Sequence, residues 1–313
     1  MNLIDFFDGL RYWGGKRNPL LQKIRYYKIV NGLVTIIANK ILPAYFSLTA
    51  NRSKNRLSQS NKNGSGRIIV SLTSYPVRLP QLWEVIECLF RQSIKPDKIV
   101  LYLTEEQVGN DIDSLPKSLL KQRKRGLEIR LCKDTIKSHT KYFYAFQEFS
   151  DDFVITVDDD LFYRTDLIEN LLRWHKEYPE AIISNWVKDI LPTTSFYKEW
   201  PDVHVPRISD RFLLLGVGGV LYPPQSLYKD VFDISLIQKL CLTADDVWIS
   251  CMALLAKMPI CFTGYRFAYL PVLIKNNTTL LAINRERNQV CIDKLNNYYQ
   301  NQKGIKPFID LVQ

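Results

Sequence analysis

Three consecutive carboxylates, Asp158, Asp159 and Asp160, close the apolar run Phe153-Val-Ile-Thr-Val. Like charges this close repel unless a cation or hydrogen bonds compensate them, so the run points to a divalent metal. With only His139, His175 and His204 in the chain, a histidine-rich site is not expected. Hard carboxylate oxygens suit Mg²⁺ or Mn²⁺, an ion that keeps several waters and accepts one or two carboxylates plus substrate phosphates. The other reading of the run is an acidic turn capping a helix that begins near Thr165, although a cap uses a single carboxylate. A second acidic pair, Asp245-Asp246, follows Thr243 at the start of a helical stretch. There Thr243 and Asp246 could form a capping box, whose strict form has Glu or Gln at the later position. The glycines of Gly216-Val-Gly218-Gly219 permit close approach of backbone to a ligand, or a tight turn between packed strands. Their spacing is not the GxGxxG dinucleotide fingerprint.

Groups of this kind need a scaffold that brings several strand ends to one edge. Short β-rich runs at Arg67 to Leu72, Lys98 to Leu103, Leu127 to Leu131, Phe153 to Val157 and, more weakly, Ala181 to Ser184 alternate with helical patterns. Those patterns run over Leu82 to Arg91, Tyr142 to Phe149 and Leu167 to Tyr178, so the expected class is α/β with a mostly parallel sheet. Ligands in such sheets bind beyond the carboxyl ends of the strands, where the Asp158 run falls.

The sheet pattern occupies residues 67–313, and a different segment precedes it. Residues 1–66 carry eleven Lys or Arg against two acids, so they hold nine of the chain's ten net positive charges. Within them Leu20, Ile24, Tyr27, Val34, Ile37 and Ile41 recur near helical spacing, which predicts a basic amphipathic arm. Such an arm either lies on an anionic membrane surface or packs on the body. Its longest charge-free stretch, Ile29 to Asn39, is too short to span a bilayer. Asn51 to Gly66 is small, polar and basic, the composition of a linker. The six cysteines form no CxxC pair and read as reduced core residues. The acidic, interrupted start does not read as a secretory signal, so a cytoplasmic chain is expected, peripheral on the membrane's inner face where the arm lies on lipid, with the sequons at Asn51, Asn63, Asn276 and Asn277 unused.

Taken in order, several motifs resemble GT-A glycosyltransferases, a Rossmann-like fold, and within them a group associated with bacterial polysaccharides. They are Ile-Ile-Val-Ser-Leu-Thr-Ser-Tyr75-Pro76-Val-Arg78 after the first strand, Pro-Asp-Lys-Ile-Val-Leu-Tyr at the second, Ser138-His-Thr-Lys141-Tyr142 before the fourth, Asp158-Asp159-Asp160-Leu-Phe-Tyr as the DxD element, Gly216-Val-Gly-Gly219-Val-Leu-Tyr222-Pro, and Ala244-Asp245-Asp246-Val-Trp248. The match runs from about Arg67 to about Leu255. The resemblance implies transfer of a sugar from a nucleotide-diphosphate donor, a UDP-sugar, to a glycan or lipid-linked acceptor in surface polysaccharide synthesis. It implies that Thr73, Ser74, Tyr75, Arg78, Lys141, Asp158, Asp159, Gly218 and Gly219 meet the donor. Asp158 and Asp160 would hold Mn²⁺ or Mg²⁺, and Asp246, beside Asp245, would be the general base of an inverting reaction. Trp248 would form part of an acceptor wall, or else a buried helix aromatic. The chain departs from the family in having no His after His204 to complete a metal site. The DDD run also occurs in retaining members, which leaves the stereochemistry open.

Two other classes fit parts of the sequence. A haloacid-dehalogenase-like phosphatase also ends a strand in Asp-x-Asp, but Leu161-Phe162 follow here where that family has a small residue and then Thr or Val. A nucleic-acid-binding protein could use the basic arm. The body has no matching motif, and no nucleic-acid partner is expected.

Overall fold

The computed structural model describes residues 2–14, 26–50, 57–58, 66–274 and 281–311. The four sequons, most of the Asn51 to Gly66 linker, and Leu20 and Ile24 of the proposed amphipathic face lie outside them.

The apolar runs become the strands of one sheet: β1 (Ile68–Thr73), β2 (Lys98–Thr104), β3 (Leu127–Cys132), β4 (Phe153–Thr156), β5 (Ile182–Ser184), β7 (Arg207–Ser209), β9 (Val220–Tyr222) and β10 (Ile260–Phe262), in the order β3-β2-β1-β4-β9-β5-β10-β7. β1 and β2 are near-continuous hydrophobic sequences because helices cover both of their faces. β1 pairs in parallel with β2 (Ile69 opposite Lys98) and with β4 (Ile69 opposite Val154). β9 runs antiparallel between β4 and β5, and β7 is antiparallel to β10, so β1 to β5 and β10 all point the same way. β6 (Val187–Asp189) and β8 (Phe212–Leu214) form a separate antiparallel pair. The class is therefore α/β with a mostly parallel sheet.

Seven helices matter for the site. α1 (Leu3–Gly14) and α2 (Tyr26–Thr49) precede the sheet. α3 (Leu79–Phe90) crosses from β1 to β2 and buries Leu82, Val85, Ile86 and Leu89 as the spacing predicts. α4 (Thr140–Glu148) precedes β4, and α5 (Leu167–Glu177) joins β4 to β5. α6 (Asp245–Leu255) packs on β8, and α7 (Leu281–Lys303) packs on α6. The arm packs one of its faces on the body: Ile4, Phe7, Ala38, Leu42 and Phe46 share a core cluster with β1, β2 and α3.

After β10 the chain runs back across the sheet's carboxyl edge. Phe162 N–H donates to Leu270 O (2.9 Å) and Val272 N–H to Asp160 O (2.8 Å), fastening this return segment beside the acidic run. All six cysteines are free and buried, as expected of core residues.

Candidate active site

β4 delivers the three carboxylates to the carboxyl edge of the sheet, and each meets a different partner. Asp159 turns inward, accepting from Ser74 Oγ (2.5 Å) and from Arg78 Nη1. Arg78 also stands 3.0 Å from Asp160 Oδ2. Asp158 Oδ1 accepts from Lys141 Nζ (2.8 Å), while its own N–H donates to Tyr163 Oη (2.8 Å). Burial and the adjacent Asp158 raise the Asp160 carboxyl to about 6. That is the repulsion anticipated for clustered carboxylates.

Arg78 sits at the N-cap of α3, with Pro80 inside the first turn, so the start of the helix aims its guanidinium back toward β4. Tyr75 supports it, accepting from Arg78 Nε (3.0 Å) with the guanidinium carbon 4.9 Å from the ring centroid. Burial alone would lower the Arg78 pKa, but Asp159 and Asp160 hold it above its usual value. Thr73 ends β1 with its hydroxyl donated to Tyr102 O (2.9 Å), so that side chain is committed to the sheet.

Lys141 joins the DDD run to the second acidic pair. Its Nζ lies 2.8 Å from Asp158 Oδ1 and 2.9 Å from Asp245 Oδ2, the latter an ion contact outside hydrogen-bonding geometry. The surrounding carboxylates keep it protonated against burial. His139 anchors the turn that carries it: Nε2 donates to Cys241 O (2.8 Å), which leaves Nδ1 to accept from Tyr142 Oη (2.6 Å). Burial pushes this imidazole down to about 4, so it is neutral at physiological pH.

The adjacent acids Asp245 and Asp246 are driven apart. Burial would raise Asp245, but Lys141, His139 and Ser138, whose Oγ donates at 2.8 Å, bring it down to about 2. Asp246, one residue on, is pushed up to about 8 by burial and by the charge of Asp245. Its Oδ1 accepts from Gly216 N–H (2.9 Å). Two carboxylates with separated pKa values divide naturally into a fixed ion and a proton acceptor.

No family model matches the sequence, and no curated protein matches it. Among the solved structures that share part of its chain path are two enzymes at low identity. One is a mannosyltransferase, PcManGT from Pyrobaculum calidifontis, in complex with GDP-Man and Mn²⁺, at 13% identity over 90% of this chain and 78% of that one, with a TM-score of 0.44. The other is CMP:2-keto-3-deoxy-manno-octonic acid synthetase complexed with CTP, at 13% identity over 71% of this chain and 98% of that one, with a TM-score of 0.41.

Several sequence-level expectations need correction. Neither acidic run caps a helix: α5 starts after Asp166 and α6 after Ala244, both without a side-chain cap, and the Thr165 hydroxyl donates to Asp5 (2.5 Å). Trp248 is fully buried in α6 and forms no acceptor wall. Gly218 packs on Asn185, and Gly219 takes φ +84° with Leu167 beneath it. At Gly216 a Cβ would lie 3.0 Å from Asp246 Oδ1 and 3.3 Å from Lys141 Nζ. The sequence reading also missed an aromatic group. Trp186, just beyond β5, meets Phe267 (5.9 Å) and Tyr269 (6.0 Å) of the return segment edge to face. Burial and then the charges of Asp160 and Asp158 raise the Tyr269 phenol. Nothing in the local sequence announces this contact, because its partners lie about eighty residues apart.

Among the described residues no group of three or more His, Cys, Asp and Glu could hold a metal by itself. Asp158 and Asp160, with side chains 29% and 27% exposed, fit the other mode, in which one or two carboxylates share Mg²⁺ or Mn²⁺ with phosphate oxygens and water. The raised Asp160 carboxyl is the group that a cation would relieve.

Proposed function

We propose that the protein is a glycosyltransferase that moves a sugar from a nucleotide-diphosphate donor, a UDP-sugar by the sequence resemblance, to a hydroxyl of a glycan or lipid-linked acceptor in surface polysaccharide synthesis. The observation that carries the reading is Lys141, whose Nζ lies 2.8 Å from Asp158 and 2.9 Å from Asp245. One cation thereby ties the acids suited to a leaving diphosphate to the pair suited to proton transfer.

In this reading the donor lies over the carboxyl ends of β1 and β4, and Arg78 and Lys141 orient its diphosphate. Asp158 and Asp160 are the residues that would hold Mg²⁺ or Mn²⁺, which when bound would offset the negative charge of the leaving group. Asp159 holds Arg78 in place, and Asp245 does the same for Lys141. Asp246 takes the proton of the acceptor hydroxyl as that oxygen bonds to the anomeric carbon. The bond from that carbon to the phosphate oxygen breaks, its electron pair leaves with the nucleoside diphosphate, and the anomeric centre inverts. Trp186, Phe267 and Tyr269 offer apolar ring faces to the acceptor sugar, with the Tyr269 hydroxyl as a polar handle.

The test is thermal stabilisation by a panel of nucleotide-diphosphate sugars, with Mn²⁺ and with chelator, because a ligand that binds only the folded state raises Tm. Stabilisation by one donor, only with metal, followed by transfer of its sugar to an acceptor, supports the reading. Stabilisation by none of them overturns it.

A further inference from the structure

α2 carries apolar side chains on its outward face as well as on its buried one. A helix on a protein surface turns its apolar stripe inward and its polar residues to water. Here the polar Thr35 and Asn39 turn inward: Arg11 Nη1 donates to Thr35 Oγ1, and Asn39 donates to Pro271 O (2.9 Å) while accepting from Leu273 N–H (2.7 Å). Ala38, Leu42 and Phe46 complete that buried face. The outward face carries Ile29, Leu33, Ile36, Ile37, Ile41 and Leu48, all exposed, with Leu33 at 54% and Leu48 at 86%. α1, packed against α2, adds Phe6, Leu10 and Trp13 at i, i+4 and i+7, with Trp13 65% exposed. A contiguous apolar surface of this kind on a folded chain marks an interaction site.

Charge identifies what covers it. In the sequence, residues 15–25 before α2 carry Lys16, Arg17, Lys23 and Arg25, residues 51–65 after it carry Arg52, Lys54, Arg56 and Lys62, and neither stretch has an acid. Lys28 and Lys40 stand exposed on the helix itself. A second copy of the chain would set this positive segment against its own like, whereas an anionic surface complements it. We propose that the outward face of α1 and α2 is a lipid-binding surface. The two helices lie in the plane of a bilayer, with their aliphatic and aromatic side chains among the acyl chains and Lys28 and Lys40 toward anionic headgroups.

By length and composition α2, 24 residues with a mean hydropathy of 1.4 over its most apolar window, could also cross a bilayer. Its inner face argues for lying flat. The Phe46 ring packs 6.4 Å from Trp83 and 6.2 Å from Phe162, and crossing would strip away these contacts together with the Asn39 hydrogen bonds. The same helices hold the return segment: Asp8 accepts from Ala268 N–H (2.8 Å), Arg11 Nε donates to Ala268 O (2.9 Å), and Asn39 binds Pro271 and Leu273. The lipid-binding surface is thus fastened directly to the chain that runs beside Asp160.

The experiment is co-sedimentation of the full chain with phosphatidylcholine vesicles, with and without phosphatidylglycerol, comparing wild type with Leu33→Ser/Ile37→Ser. Both positions are exposed and the substitution leaves the charge unchanged, so Tm should match wild type. Wild type should bind the anionic vesicles, and the variant should bind them at least about tenfold more weakly, the effect of withdrawing two buried aliphatic side chains. Equal binding by the variant, or no vesicle binding by wild type alongside salt-sensitive binding to DNA, overturns the proposal. So does a dimer in light scattering that the variant dissociates while vesicle binding is unchanged, which would identify the face as a contact between copies. No outcome depends on transfer activity, so the test stands apart from the proposed reaction.

Discussion

Replacing Lys141 by Met keeps the length of the side chain and removes its charge. The Lys141 side chain is 6% exposed and lies within 3 Å of both Asp158 and Asp245, so the substitution leaves two shielded carboxylates without their cation. Removing one partner of a buried pair costs about 3–5 kcal/mol, which for a chain of this size is a fall in Tm of roughly 5–8 °C. The loss should depend on pH with a definite sign. In the wild type Asp245 titrates near 2, below its usual 3.8, so its contribution is complete above that usual value and is lost only as pH falls through about 2. Burial is the largest influence on Asp245 and acts upward. Without Lys141 it prevails: the folded-state pKa moves above the unfolded one, the carboxylate destabilises the neutral protein, and protonation relieves it. Urea denaturation at about pH 7.5 and about pH 5 should therefore show a deficit for Lys141→Met that shrinks on acidification. A deficit below about 1 kcal/mol, or one equal at both pH values, would refute the claim that Lys141 compensates these acids.

Asp246→Asn should keep the metal-dependent stabilisation by donor while lowering transfer by about 10²–10⁴-fold, the range for loss of a general base; loss of donor stabilisation would remove the base assignment. Asp246 accepts a proton only when ionised and is raised to about 8, so wild-type transfer should increase with pH toward a limb at or somewhat below 8, bound metal drawing it down. Kinetics across that range should show the limb in wild type and not in the residual activity of the Asn variant. Asp160→Asn removes a carboxylate raised to about 6, so without divalent ion it should be at least as stable as wild type, while its Mn²⁺-induced Tm shift disappears; a preserved shift would place the ion elsewhere. Gly219→Ala should lose about 1–2 kcal/mol in urea denaturation, because φ is +84° there and a Cβ would lie 3.0 Å from Leu167.

What could be read ahead of the structure follows from the range of the interactions. β1 to β4 were legible because strands covered on both faces leave continuous apolar runs, and the three acids after β4 were legible because repulsion between neighbours is a local fact. The different environments of Asp245 and Asp246 were not legible in the residues themselves, since they depend on Lys141, Ser138 and Gly216, which lie far off in the chain; only the resemblance told the two acids apart. The capping box around Thr243 failed for the same reason: the Asp246 carboxylate has a better partner in the Gly216 N–H across the site. Among the glycines, the resemblance named Gly218 and Gly219, and the closeness of Gly216 to Asp246 and Lys141 depends on residues far off in the chain. α2 read as one apolar face with a basic surround, and which face turns inward emerges only from the packing of Ala38, Leu42 and Phe46 and from the bonds that Arg11, Pro271 and Leu273 make to its polar residues.

The charge of the cluster sets an order of events. Among the described residues, the cations paired with Asp158, Asp159, Asp160 and Asp245 are Arg78 and Lys141, and Asp246 adds a further acid, raised to about 8. A site with more carboxylates than cations repels a bare diphosphate and attracts a divalent ion, so donor and metal should enter together and neither should bind tightly alone. Both cations already hold carboxylates, Arg78 bridging Asp159 and Asp160 and Lys141 bridging Asp158 and Asp245. Neutralising Asp158 and Asp160 with one divalent ion would loosen a contact of each and turn them toward phosphate. The donor's affinity should then rise with divalent concentration to a plateau, with Asp160→Asn and Lys141→Met each flattening that response. A donor that binds as well in chelator as in Mn²⁺ would contradict this ordering even if the transferase activity were found.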